Sequence, residues 1–207
     1  MQEVIKLNFI NRSSDTNNSS VVIFQKNVAE DFNEIAVAWK VIENCGRLDN
    51  HPFTYPMNFQ VSASDSYGNY TPQLTAYDGQ AFEMIKSTSG DILQLATSPA
   101  TSATEVEVRN NLATGAISAN CLRSGTLLAT KTGLAPGQKA VFEFHPRIYI
   151  GVVSQVVQGD VMSSAIISQI NSEINLFGII SADIVMNGGG QGPAATPFYF
   201  TLENINK

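Results

Sequence analysis

Charge is scarce in this chain. Only 14% of its 207 residues are Asp, Glu, Lys or Arg, and the balance is acidic, at −6. Binding to a phosphate backbone needs clustered lysine and arginine, so this composition excludes nucleic acid as a partner. It also excludes simple attraction to anionic lipid. Histidine is nearly absent. The two present, His51 and His145, each precede a proline, which forces extended geometry on them. They read as turn histidines, and triads or zinc sites that lean on histidine lose their support. There are two cysteines, Cys45 and Cys121, with neither metal-ligand nor redox spacing, so they read as ordinary thiols. No metal or other cofactor is expected. No apolar run reaches the ~20 residues that cross a bilayer. The opening MQEVIKLNFI lacks a basic then apolar leader. The expectation is a protein that is cytoplasmic or exported without a classical signal peptide.

What is present is β-pattern. Hydrophobic residues make up 43% of the chain, enough for a core without disulfides at this length. Residues 4–10 largely alternate, and NRSSDTNNSS after them is a turn cluster that makes a long-tipped hairpin with the Val21–Phe24 run. After a polar turn over 27–34, Ile35, Val37, Trp39 and Val41 fall on one face, with Ala36, Ala38 and Lys40 on the other. Residues 43–56 carry Gly46 and two prolines and read as a loop. Short strands follow, with turn signals between them. Residues 73–77 and 80–86 suggest a hairpin around Asp78-Gly79. Residues 116–122 and 126–131 suggest another around Ser124-Gly125. In 104–109, Val106 and Val108 alternate with Glu105, Glu107 and Arg109. Residues 139–144 and 147–153 read as a central hydrophobic pair joined at His145-Pro146. Residues 161–170 are ambiguous: Val161, Ile166, Ile167 and Ile170 suit a helical stripe, but Ile and Ser are mediocre helix formers, and the stretch is read as a strand. Residues 174–186 are long and apolar, 187–196 (NGGGQGPAAT) a flexible tip, and Phe198, Phe200 and Leu202 alternate in the last strand. Close-spaced strands with turns throughout predict an all-β protein with little or no helix. We expect one β-sandwich domain over 1–207, jelly-roll or Greek-key-like.

The candidate chemistry is sparse. Gly188, Gly189, Gly190 and Gly192 are followed by Pro193 rather than by the Lys-Ser/Thr of a phosphate loop. Asp65, Asp78, Asp91 and Asp183 read as turn-capping or strand-edge carboxylates. No catalytic residue is nominated, and the chain is expected not to be an enzyme. Two surfaces stand out. Phe53, Tyr55, Tyr67 and Tyr70 lie in or beside turns, where aromatics either fold back as loop anchors, the reading preferred, or contact glycans or a membrane surface. Phe198 and Phe200, with Gly189 and Gly190 beside them, mark a weakly charged last strand, a template for pairing with another chain.

The order NNSSVVIFQKN, then IAVAWKVI, then PGQKAVFEFHPRIYIGVVSQVVQGDV resembles the RhiA-like proteins, small soluble β-proteins first noticed in rhizosphere bacteria. The similar features are residues 17–27, Ala38-Trp39 and residues 142–150. The resemblance implies a bacterial all-β sandwich and supplies no activity and no functional residue. Two expectations follow. The first is a non-catalytic protein that self-associates into a homo-oligomer or larger assembly. The alternative is a toxin-like or lectin-like effector that binds membrane or glycan through its aromatic loops.

Overall fold

The computed structural model describes residues 4–16, 19–29, 36–170 and 172–207. Ile35 and most of the polar turn before it lie outside them. The protein is all-β; the described residues form sixteen strands, one six-residue α-helix and one short 3-10 turn at Gly192–Ala194. In chain order the strands are β1 (Val4–Asn11), β2 (Ser20–Phe24), β3 (Lys40–Ile42), β4 (Asn50–Pro56), β5 (Phe59–Asp65), β6 (Leu74–Ala76), β7 (Ala81–Ser87) and β8 (Gly90–Leu95). Then come β9 (Val106–Asn110), β10 (Ile117–Arg123), β11 (Thr126–Leu134), β12 (Lys139–Phe142) and β13 (Arg147–Val153). Helix α1 (Ser164–Gln169) precedes β14 (Ser172–Asn175), β15 (Ser181–Gly189) and β16 (Thr196–Asn206).

The strands form four four-stranded sheets, within two compact units that are each discontinuous in sequence. Unit 1 comprises Met1–Lys26, Ala36–Met57 and Pro146–Lys207. It holds the sheets β16-β15-β1-β4 and β14-β13-β2-β3. Pairing is antiparallel except for β1 with β15. In β1, Ile5, Leu7 and Phe9 are buried while Val4, Lys6 and Asn8 are not, the alternation of a strand with one face in the core. Strand β2 differs: Val21, Val22, Ile23 and Phe24 are all buried. A continuous apolar run of this kind suits a strand covered on both faces. Val22 and Phe24 pack with Ala36, Ala38, Val153, Val156, Met162 and Ile170, and Ile166 and Ile167 of α1 lean on the same cluster.

Unit 2 comprises Asn27–Ile35 and Asn58–His145, and holds the sheets β11-β10-β5-β6 and β12-β9-β7-β8. Here β7 and β9 pair in parallel. The hairpin of β10 and β11 turns at Ser124 (φ 54°) and Gly125 (φ 75°), where two successive positive φ values match the right-handed strand twist. Asn110 is a buried polar hub. Its amide donates to the carbonyls of Gly115 (2.9 Å) and Leu134 (2.8 Å) and accepts from the Leu112 N–H.

Several local expectations are corrected. Residues 50–56 form β4 rather than a loop: both prolines are accommodated because β4 is an edge strand. His51 therefore sits in a strand. Ala36 and Ala38, assigned to the face away from Trp39, are buried along with Val37 and Trp39. Among the described residues of that stretch only 40–42 are strand, with Val37 bridging Val161. Strands β1 and β2 lie in different sheets, as do β6 and β7, so neither pair forms the expected hairpin. The Asp78-Gly79 turn carries the chain between sheets instead. Strands β12 and β13 likewise part: β12 pairs with β9, and β13 with β2 and β14. Within 161–170 the chain makes α1, its N-cap the hydroxyl of Ser163 accepting from the Ile166 N–H.

Candidate functional site

The four loop aromatics divide. Phe53 and Tyr55 point inward from β4 and are buried, so neither is available to a glycan or a membrane. Their partner is Trp39, which meets Phe53 at 6.3 Å and Tyr55 at 5.9 Å between ring centroids, both edge-on. Each such pair contributes about 0.5–1.5 kcal/mol beyond its area. The Tyr55 hydroxyl accepts from the Gln25 amide at 2.7 Å, which also donates to the Arg147 carbonyl. Tyr67 and Tyr70 are 90% and 73% exposed. They ride on a turn organised by Asp65, whose carboxylate accepts from the Tyr67 N–H, the Asn69 N–H and the Asn69 amide.

The second surface is β16. It is an edge strand of eleven residues that pairs with β15 alone. Its register is regular from Asp183↔Glu203 to Asn187↔Tyr199, with irregularities at either end. Phe198, Phe200 and Leu202 are half-buried on one face, and Tyr199 and Thr201 are exposed on the other. The one charged residue in TPFYFTLENIN, Glu203, is neutralised by Arg12 at 2.7 Å.

The glycine tip beside β16 is held rather than loose. Ser14 donates its N–H to the Gly188 carbonyl at 2.8 Å and accepts from the Gly190 N–H at 3.2 Å. Gly188 has φ 88°, and a Cβ there would overlap the Pro197 carbonyl. Gly189 pairs with Thr196 and bridges Ser14. Phe198 and Phe200 thus lie on the accessible strand, while Gly189 and Gly190 belong to the turn that fastens it.

A charged cluster lies on the sheet of β9 and was not singled out in the sequence. Glu107 is fully buried. One carboxylate oxygen accepts from Lys139 Nζ (2.6 Å), Thr101 Oγ1 (2.6 Å) and the Thr101 N–H (2.8 Å). The other takes Arg109 Nε (2.8 Å) and Nη2 (2.6 Å). Arg109 also donates to Ser98 and to the Pro99 carbonyl, which straps the 98–104 loop over the strand. Burial alone would raise this carboxyl. The bonds from Lys139, Thr101 and Arg109 outweigh it and hold the group at about 2. With both oxygens engaged, Glu107 is a structural anchor rather than a proton carrier. The alternation in 104–109 places Glu107 correctly opposite Val106 and Val108, but only the fold brings a loop and a lysine onto that face.

Cys45 and Cys121 are both free and buried, and burial pushes the Cys121 thiol well above the ordinary range. Among the described residues no helix is long and apolar enough to cross a membrane, and no three His, Cys, Asp or Glu side chains gather as a metal site. Comparison with family models, curated proteins and solved structures finds no match to this chain.

Proposed function

We propose that this protein is a non-catalytic, self-associating β-protein whose β16 pairs edge to edge with β16 of a second copy. The observation that carries this reading is the contrast between β16 and the other sheet edges. Exposed edges are normally blunted by brevity, proline, charge or irregularity. Among the described residues, β3, β6, β12 and β14 are edges of only three or four residues. β4 carries Pro52 and Pro56. β8 carries Asp91, and β11 carries Lys131 and two register shifts. β16 carries Pro197 and two register shifts of its own, but these lie toward its ends. It spans about 36 Å at strand rise, and its regular centre, 199–203, has one charge already paired.

In an antiparallel ladder about half the backbone groups of an edge strand point away from its neighbour. Two β16 strands meeting antiparallel near Thr201 satisfy those groups mutually, in a two-fold contact of the kind most homodimers use. The low surface charge weakens the repulsion that would oppose it. The resemblance to RhiA-like proteins accords with an all-β protein and adds no activity.

Light scattering on size-exclusion-purified protein over a range of concentrations tests the proposal. The expected mass is at least twice the 22.3 kDa of one chain. Replacing Tyr199 and Thr201 by lysine together should return it to one chain with the β circular-dichroism signature intact. A native protein that is monomeric at every concentration overturns the reading and moves the weight to the exposed Tyr67 and Tyr70.

A further inference from the structure

The end of the β2–β13 ladder opens into a cavity of about 520 Å³ that is broadly open to solvent. It lies where Ser20 faces Val153, β13 leaves the sheet, and Gln169 ends α1. Its lining is Ser19, Ser20, Val152, Val153, Ser154, Gln155 and Gln169. The size is that of a small-ligand pocket. We infer that this cavity binds a neutral, polyhydroxylated molecule, a saccharide, independently of the β16 edge.

Three features of the lining select that class. The first is that, among the described residues, no charged side chain lines the cavity: every polar side chain there is a hydroxyl or an amide, with the Asp15 carboxylate set behind and bonded to Ser19. A carboxylate or phosphate ligand calls for donors backed by positive charge, and a cation calls for carboxylates. Serine and glutamine instead each present both donors and acceptors. That is the mixed pattern a sugar hydroxyl requires, since it donates and accepts at once.

The second is that these groups are uncommitted. The side chains of Ser20, Ser154, Gln155 and Gln169 make no hydrogen bond to another described residue. Other glutamine amides are used internally, as Gln25 holds Tyr55, Gln94 holds Glu83, Gln138 the Ala135 N–H and Gln158 the Val41 N–H, though among the described residues Gln60 and Gln73 are not. Ser19 is pre-oriented. Its N–H and hydroxyl both donate to Asp15, at 2.6 and 3.3 Å, which leaves the hydroxyl lone pairs as acceptors. Gln155 holds a left-handed backbone (φ 62°) that non-glycine residues seldom adopt, a strain of order 1 kcal/mol or more of the kind found at ligand sites.

The third is the floor. Val152 and Val153 supply a small aliphatic surface for the C–H face of a sugar ring, and among the described residues no aromatic lines the cavity. A nucleobase, which shares the amide hydrogen-bonding pattern, lacks the stacking platform it needs here.

Hydrogen exchange read by mass spectrometry tests this at any assembly size. The probes are D-glucose, D-galactose and N-acetyl-D-glucosamine, with acetate as the charged comparison. The expected result is saturable protection of peptides covering 19–20, 152–155 and 169 with at least one sugar and none with acetate. The Gln155→Ala/Gln169→Ala double variant should bind about tenfold more weakly or worse, with exchange elsewhere unchanged. Both glutamines are exposed, so their loss spares the core, and Ser154→Ala provides a second, independent variant. No saturable protection with any of the three sugars, equal protection by acetate, or native affinity in the variants would overturn the inference.

Discussion

At the scale of single residues, Glu107 shows how a polar position becomes structural. A carboxylate taken fully out of water is costly unless it is paired and hydrogen-bonded. Two cations and the Thr101 hydroxyl and N–H meet that requirement here. Glu107→Gln removes the charge that both cations answer and releases the strap over 98–104. The expected loss is about 2–4 kcal/mol of unfolding free energy in a urea titration. The pH dependence has a definite sign. The folded group sits at about 2, below its ordinary 4.5, so its contribution is complete above pH 4.5 and fades as pH falls toward 2. Lys139 is 41% exposed, and screening reduces that contribution to the order of 2 kcal/mol. Native protein should lose that much more stability than Glu107→Gln between pH 5 and pH 2, and parallel acid titration curves for the two would refute it. The alternation in 104–109 is visible in the sequence. The ion cluster is not, because Thr101, Glu107 and Lys139 are joined only by the fold.

At the scale of elements, turns and strand ends decide more than the strands do. Gly188 is needed twice over, for its φ of 88° and because a Cβ there would overlap the Pro197 carbonyl. Gly190 has φ 103° but no atom nearer than 3.7 Å to a built Cβ. Gly188→Ala should therefore cost more stability than Gly190→Ala, with the first exceeding about 1 kcal/mol. Equal midpoints in denaturant would show that backbone strain alone governs this turn. Pairing partners were the least legible feature at this scale. Asp78-Gly79 and His145-Pro146 are good turn signals, yet each joins strands of different sheets. A turn motif reports that the chain reverses or bends, not which ladder it joins next. Ser124-Gly125 did mark a true hairpin, since two positive φ values in succession match the twist of paired strands. Helix α1 was hidden because its cap, Ser163, is one of two adjacent serines, and its isoleucines read equally well as strand.

At the scale of the whole chain, association couples to stability. A partner that binds only the folded form stabilises it by mass action. If two β16 edges pair, the thermal midpoint of native protein should rise with total protein concentration. The midpoint of the Tyr199→Lys/Thr201→Lys variant should not change. A concentration-independent midpoint for both, measured by scanning calorimetry, would contradict edge pairing.

The all-β character was written into the chain itself. Period-two alternation, β-branched runs and frequent turn residues are local properties, and local properties set what each short segment can become. The weakly charged last strand was visible in the same way, as Phe198, Phe200 and Leu202. Tertiary structure decided which strands are edges, because an edge is defined by a missing neighbour. It turned residues 50–56 from a loop into β4 and so buried Phe53 and Tyr55 against Trp39. It left Tyr67 and Tyr70 outside on the Asp65 turn. It also gathered Ser20, Ser154, Gln155 and Gln169 around one cavity from positions up to 149 residues apart in sequence. Composition and spacing cannot report such groupings, since they arise when distant segments share a ladder and its open end.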